Sequence, residues 1–295
     1  MSPENQPKHR VVVGVDGSPG ADEALRWAVG EATQRNAVLE VTCCWLYPAP
    51  VTSGALLVHV HDFPDLARAV CEKAEVAARA LDPDLLVEIR TPELQPQLGL
   101  VAASKGADLL ITGARGLGAF RSLLLGSVSQ HCAHHAHGPV MIVRPPHLSE
   151  RPVDGLVPKV VVGFDGSQDS GRALEWAVEE AFRLEARLEV VGAWTPLEAG
   201  GLPLIDLQAA LDEYAHTTLD NAVKRAAAIR PEVQVTTAIS TEPASWTLVK
   251  ASEQAQLLVV GSRGLGGFKG MLLGSVSQHC ATHATCSTLI VREAQ

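Results

Sequence analysis

The chain carries most of its sequence twice, and that duplication limits what it can fold into. VVVGVDGS, Val11 to Ser18, returns as VVVGFDGS, Val160 to Ser167. LRWAV at Leu25 returns as LEWAV at Leu174, and Trp45 returns as Trp194, each 149 residues on. GARGLGAFRSLLLGSVSQHCA, from Gly113, returns as GSRGLGGFKGMLLGSVSQHCA, from Gly261, 148 residues on. So long a period marks a duplicated domain rather than a solenoid unit. A chain of 295 residues also suits two domains. The join falls in PPHLSERPVDGLVP, Pro145 to Pro158, where prolines and polar residues suit a linker. The expected division is 1–147, a linker at 148–158, and 159–295.

Each copy alternates strand and helix signals. Val11 to Val15 is a β-branched run ending at Asp-Gly-Ser. Ala21, Leu25, Ala28, Val29 and Ala32 then follow helical spacing, with Ser18 as N-cap and Pro19 at the first helical position. Further strands are expected at Val38 to Cys44, Leu85 to Arg90, Asp108 to Thr112 and Val140 to Val143. Helices are expected at Asp65 to Ala80, at Pro92 to Lys105 and from Ser127. Five strands alternating with four helices predict an α/β class of two tandem doubly wound domains. Each is a five-stranded parallel sheet with helices on both faces. In such sheets ligands bind beyond the carboxyl ends of the strands, at the topological switch point.

A hydrophobic fraction of 46% supplies two cores. The formal net charge of −9, with no block of Lys or Arg, predicts no nucleic-acid partner and no anionic membrane surface. No apolar run reaches the roughly 20 residues of a membrane span. The first ten residues are polar without an apolar stretch behind them, so no secretory leader is expected and the location is read as cytoplasmic. Six cysteines occur without a C-x-x-C, the usage of reduced, mostly buried thiols.

The chemistry concentrates in Gly-x2-Gly-x9-Gly-Ser: Gly113, Gly116, Gly126 and Ser127, then Gly261, Gly264, Gly274 and Ser275. Gly118 and Gly266 complete the glycine runs. Glycines let backbone N–H groups approach a phosphate, and the next helix adds free N-terminal donors and a positive dipole end. Ser127, Ser129, Ser275 and Ser277 add hydroxyls, and Arg115 and Arg263 bring cations. The alternative is that the glycines only shape a strand-to-helix connection. A Walker loop is excluded because no Lys precedes Ser127 or Ser275. The dinucleotide fingerprint is excluded because GVDGSPG follows the first strand. Asp16 and Asp165 end the first strands, where a carboxylate either accepts from ribose hydroxyls or closes a turn.

With these motifs the chain resembles the universal stress protein family, as a tandem two-domain member. The resemblance spans nearly the whole chain, and both copies match the family's ATP-binding signature. It implies a strand order of 3-2-1-4-5 and pairing of the two domains through their last strands, Val140 to Val143 and Leu289 to Val291. It implies ATP as the ligand, with or without Mg2+. Asp16 would then meet ribose, Gly14 the nucleotide edge, and Gly113 and Gly116 ribose and phosphates. Gly126, Ser127, Val128 and Ser129 would hold the phosphates. Gly163, Asp165, Gly261, Gly264, Gly274, Ser275, Val276 and Ser277 would repeat these roles. The adenine contact is implied near Cys44 and Ala193.

Other residues are read as structural. His131 and His135, like His279 and His283, are spaced i, i+4, yet a third metal ligand is missing nearby, so no metal is expected. Trp45 and Trp194 fall where strand two meets the crevice, with packing as the expected role. No catalytic group set is evident beside the loop. The expected function is an ATP-dependent regulator or sensor in stress response, with a homodimer as a further assembly. The alternatives are a slow ATPase or phosphotransferase, a surface scaffold, and a sensor of another adenine nucleotide such as cyclic AMP.

Overall fold

A computed structural model describes residues 9–47, 63–117, 124–145, 157–194, 198–199, 202–203, 205–266 and 272–293. The chain divides into two compact units, one running to Arg144 and the other from Pro145 to Glu293. Most of the expected linker, and Gly118 of the first loop, lie outside the described residues.

The first unit runs β1 (Arg10–Gly14), α1 (Pro19–Gln34), β2 (Val38–Thr42), α2 (Phe63–Leu81) and β3 (Val87–Arg90). It continues with α3 (Pro96–Ala103), β4 (Leu109–Gly113), α4 (Ser127–His135) and β5 (Val140–Val143). Its strands pair in parallel in the order β3-β2-β1-β4-β5. Val11, Val12 and Val13 are fully buried, because helices cover both faces of a parallel sheet. The buried face of α1 is mostly alanine, which lets the helix approach the strands closely: Ala21, Ala24, Leu25, Ala28, Val29 and Ala32.

The second unit repeats the plan with β6 (Lys159–Gly163), α5 (Gln168–Arg183), β7 (Arg187–Ala193), α6 (Ile205–Ile229) and β10 (Val235–Ser240). It ends with α7 (Ala244–Ser252), β11 (Leu257–Gly261), α8 (Ser275–His283) and β12 (Ser287–Val291). A small antiparallel pair, β8 (Glu198–Ala199) with β9 (Leu202–Pro203), is an addition to the expected order. The strands pair in parallel as β10-β7-β6-β11-β12. Both units therefore have the order 3-2-1-4-5.

Register brings the working ends level. Gly14 stands opposite Thr42 on one side and Thr112 on the other. The chain leaves β1 toward β2 and β3, then returns to β4 on the far side, so the switch point lies between β1 and β4. Some boundaries differ from the sequence expectation. The third helix starts at Pro96 rather than Pro92, because the segment after β3 still bridges the sheet at Trp45 and Glu93. The second strand ends at Thr42, two residues early.

Ser18 and Ser167 cap α1 and α5, accepting from the N–H groups of Ala21 and Ser170 at 3.2 Å each. Ser18→Ala is expected to lower unfolding stability by about 1 kcal/mol. Chemical denaturation would show this as a lower midpoint at unchanged slope.

Candidate functional site

In each unit the carboxyl ends of the first and fourth strands open into a cavity, of about 480 Å³ in the first and about 550 Å³ in the second. The sequence-predicted Gly14, Asp16, Cys44, Gly113, Arg115, Gly116, Gly126, Ser127, Val128 and Ser129 all line the first. Gly163, Asp165, Ala193, Gly261, Arg263, Gly264, Gly266, Gly274, Ser275, Val276 and Ser277 all line the second.

The aspartates join the two motifs. The Ser18 N–H donates to Asp16 Oδ1 at 3.0 Å, and the Leu117 N–H donates to Asp16 Oδ2 at 2.9 Å. Ser167 and Leu265 donate to Asp165 at the same 3.0 and 2.9 Å. One oxygen thus closes the turn after the first strand, and the other anchors the glycine loop after the fourth. Each carboxylate oxygen has two lone pairs, one of which these backbone donors occupy. Burial works to raise the Asp165 pKa, but the bonds from Ser167, Leu265 and Ser170 outweigh it and hold the carboxyl below its ordinary value.

Two glycines of each motif are required by close approach. A Cβ on Gly116 would run into Asp16 Oδ2, and one on Gly264 would lie 2.5 Å from Asp165 Oδ2. A Cβ on Gly113 would sit 2.8 Å from the Gly20 backbone, and one on Gly261 would sit 2.8 Å from the Asp169 backbone, where the first helix of each unit starts. These glycines shape the loop whether or not a ligand is present.

The stronger ligand signal is at the next helix. Gly126 and Gly274 are the N-caps of α4 and α8, and no side chain caps either helix. The first-turn N–H groups of Ser127, Val128 and Ser129, and of Ser275, Val276 and Ser277, therefore have no intrahelical acceptor. They belong to residues in the cavity walls. The Ser129 hydroxyl donates to the Gly113 carbonyl at 2.6 Å, and Ser277 donates to Gly261 at 2.6 Å. These hydroxyls pin the helix to the strand, which leaves the serines' backbone N–H groups as the donors toward a ligand.

Arg115 and Arg263 both line their cavities, but in different company. Arg263 Nε lies 3.5 Å from Asp169 Oδ2, and that carboxylate also accepts from Ser262 Oγ at 2.8 Å and from Arg172 at 2.9 Å. Gly20 occupies the corresponding place in the first unit. Burial lowers the Arg292 pKa to about 10, with Asp169 opposing the fall and Arg263 adding to it.

Sequence reasoning missed the floor of each crevice. Thr42, Pro96 and Leu100 line the first; Val191, Ala244 and Leu248 line the second. The available signal was Pro96 with Leu100 four residues on at the start of α3, a spacing that Ala244 and Leu248 repeat in α7. Trp194 also lines the second cavity, whereas sequence reading assigned it to packing. The His131 and His135 rings lie 4.2 Å apart, and His279 and His283 4.3 Å apart. Among the described residues no group of three or more His, Cys, Asp or Glu is placed to hold a metal ion. No described helix is long and apolar enough to cross a membrane.

The model of the universal stress protein family matches this chain twice, over residues 8–144 and 157–292. A universal stress protein of Mycobacterium tuberculosis strain H37Rv is 35% identical over 298 residues, covering 96% of each chain. One from Mycolicibacterium smegmatis is 34% identical over 295 residues, covering 97% of each. Among solved structures, a universal stress protein from Archaeoglobus fulgidus covers 98% of this chain and 99% of its own. It has a TM-score of 0.63 at 20% identity, a likeness of fold.

The geometry yields two expectations. Asp165 stabilises the fold above its unfolded pKa of about 4, and that contribution is lost as pH falls through the depressed native value. Asp165→Asn should lower Tm at pH 7, with the gap to wild type narrowing below about pH 4; a gap constant with pH would contradict this. Burial, then the neighbouring Cys43, pushes the Cys44 thiol up to about 12. At pH 7 it should therefore resist alkylation in the native protein and react on unfolding, as mass spectrometry would show.

Proposed function

Since the chain belongs to the universal stress protein family, we propose that each of its domains binds ATP and that occupancy governs its action as a regulator in stress response. The observation that carries this reading is the uncapped first turn of α4 and of α8, opening onto a cavity beside a glycine loop and an arginine. Such donors and the positive dipole end suit a phosphate chain. The phosphates would lie on the N–H groups of Ser127 to Ser129 and Ser275 to Ser277. Arg115 and Arg263 would offset part of the charge. Ribose hydroxyls would donate to Asp16 and Asp165, and the base would reach toward Cys44 and Ala193. Mg2+ would travel with the phosphates as their counter-ion.

Holding ATP fits this site better than turning it over. Each aspartate already accepts two backbone N–H bonds, and Asp165 is held below its ordinary pKa, which makes it a poor proton acceptor. A regulator needs only two states with different affinities for the nucleotide. We place it in the cytoplasm, with its domains paired through the last strands and residues 148–158 as their linker. Support for the pairing comes from composition: VMIV at Val140–Val143 and STLIV at Ser287–Val291 are too apolar for bare sheet edges.

The test is copurification of nucleotide and calorimetry on wild type and on Gly116→Glu with Gly264→Glu. Each substitution displaces the aspartate and adds a carboxylate to an anion site. Binding should fall at least tenfold, roughly the 1.4 kcal/mol that tenfold represents. Wild-type ATP affinity in the folded double variant would end this reading.

A further inference from the structure

The two copies place their second-strand tryptophans differently, and one neighbour sets the difference. Trp45 lies just beyond the end of β2 and Trp194 just beyond the end of β7, and each has a neighbour two residues back along the chain. For Trp45 that neighbour is Cys43, which is buried. The Trp45 indole turns elsewhere: its Nε1–H donates to the Thr91 carbonyl at 3.0 Å, and its ring meets Tyr47 edge-on with centroids 5.1 Å apart. The neighbour of Trp194 is Gly192. A Cβ on Gly192 would strike the Trp194 ring at Cζ3 and Cη2. The indole therefore occupies the space that the Cys43 side chain takes in the first copy.

From there Trp194 lines the second cavity beside Ala193, with Ala244 and Leu248 of α7 in the same wall. It is half-buried, so part of the ring remains accessible. The corresponding part of the first cavity is built from Thr42, Cys44, Pro96 and Leu100, and no aromatic ring stands among its described lining residues.

We propose that Trp194 contacts the ligand of the second site, presenting an aromatic face to a planar heterocyclic base, so that the two sites recognise one nucleotide by different chemistry. The proposal rests on the reading that both cavities bind nucleotide. Stacking on an aromatic side chain suits any base, because every base has a π-face. The first site reads the same region of the ligand through a hydroxyl, a thiol and aliphatic groups. Gly192 is the specificity switch, since a side chain there would displace the indole.

The experiment is calorimetry and tryptophan fluorescence on the full chain, with ATP and with inorganic tripolyphosphate, which offers phosphates without a base. Trp194→Ala should weaken one of two ATP sites by about 5- to 150-fold, the worth of one base–aromatic stack. The other ATP site and tripolyphosphate binding should keep wild-type affinity. Gly192→Cys, which restores the residue of the first copy, should cause the same selective loss while keeping the tryptophan. Trp194→Phe should retain most of the affinity, and Trp45→Ala should leave both sites unchanged. Wild-type ATP affinity at both sites in Trp194→Ala or Gly192→Cys would overturn the proposal, as would an equal loss of tripolyphosphate. Absence of ATP binding in the wild type would overturn the nucleotide reading itself and this proposal with it; binding that ignores these variants would overturn only the role of Trp194.

Discussion

A single carboxylate with two backbone donors organises each crevice. The bond from the Leu117 amide to Asp16 spans 101 residues of chain, and its copy from Leu265 to Asp165 spans 100. It ties the turn after the first strand to the loop after the fourth, across the place where the strand order reverses. The second glycine of the motif follows from that contact, since any side chain there would meet the carboxylate. The first glycine follows from the start of the neighbouring helix. With the loop so held, α4 and α8 begin at the cavity rim with their first-turn donors open.

The copies have kept this frame while their walls diverged. The aspartate bonds and the serine-to-carbonyl staples agree between units to within a tenth of an ångström, and both fourth helices are uncapped. The variation lies one layer out. Asp169 replaces Gly20 and draws Arg263 and Arg172 toward itself. Val191 replaces Thr42, Ala193 replaces Cys44, and Gly192 replaces Cys43. Backbone donors tolerate such drift because they depend on chain path rather than on side-chain identity.

That distinction also explains what was legible from residues alone. The β-branched runs ending in glycine, the alanine-rich helix faces and the repeated glycine spacing marked the strands, helices and crevice residues directly. The bond from Leu117 was hidden because it uses a main-chain N–H, which no residue type advertises. The third helix began late because Pro92 and Pro96 give the same start signal, and only the bridge at Trp45 and Glu93 decides between them. Asp169 reads in sequence as an ordinary first-turn acid complementing the helix dipole. Its bond to Ser262 appears only once α5 is laid against β11. The course of Trp194 depended on a neighbour two residues away, whose importance emerges only when the indole is seen against the Gly192 backbone.

Carrying both copies in one polypeptide has a genetic consequence. When identical subunits each supply a crevice, every codon change alters all of them together. Here a change at position 192 or 169 reaches one crevice and spares the other. The duplication therefore supplies more than a second pocket. It makes inequality between pockets heritable one residue at a time, while the main-chain scaffold beneath them stays common property.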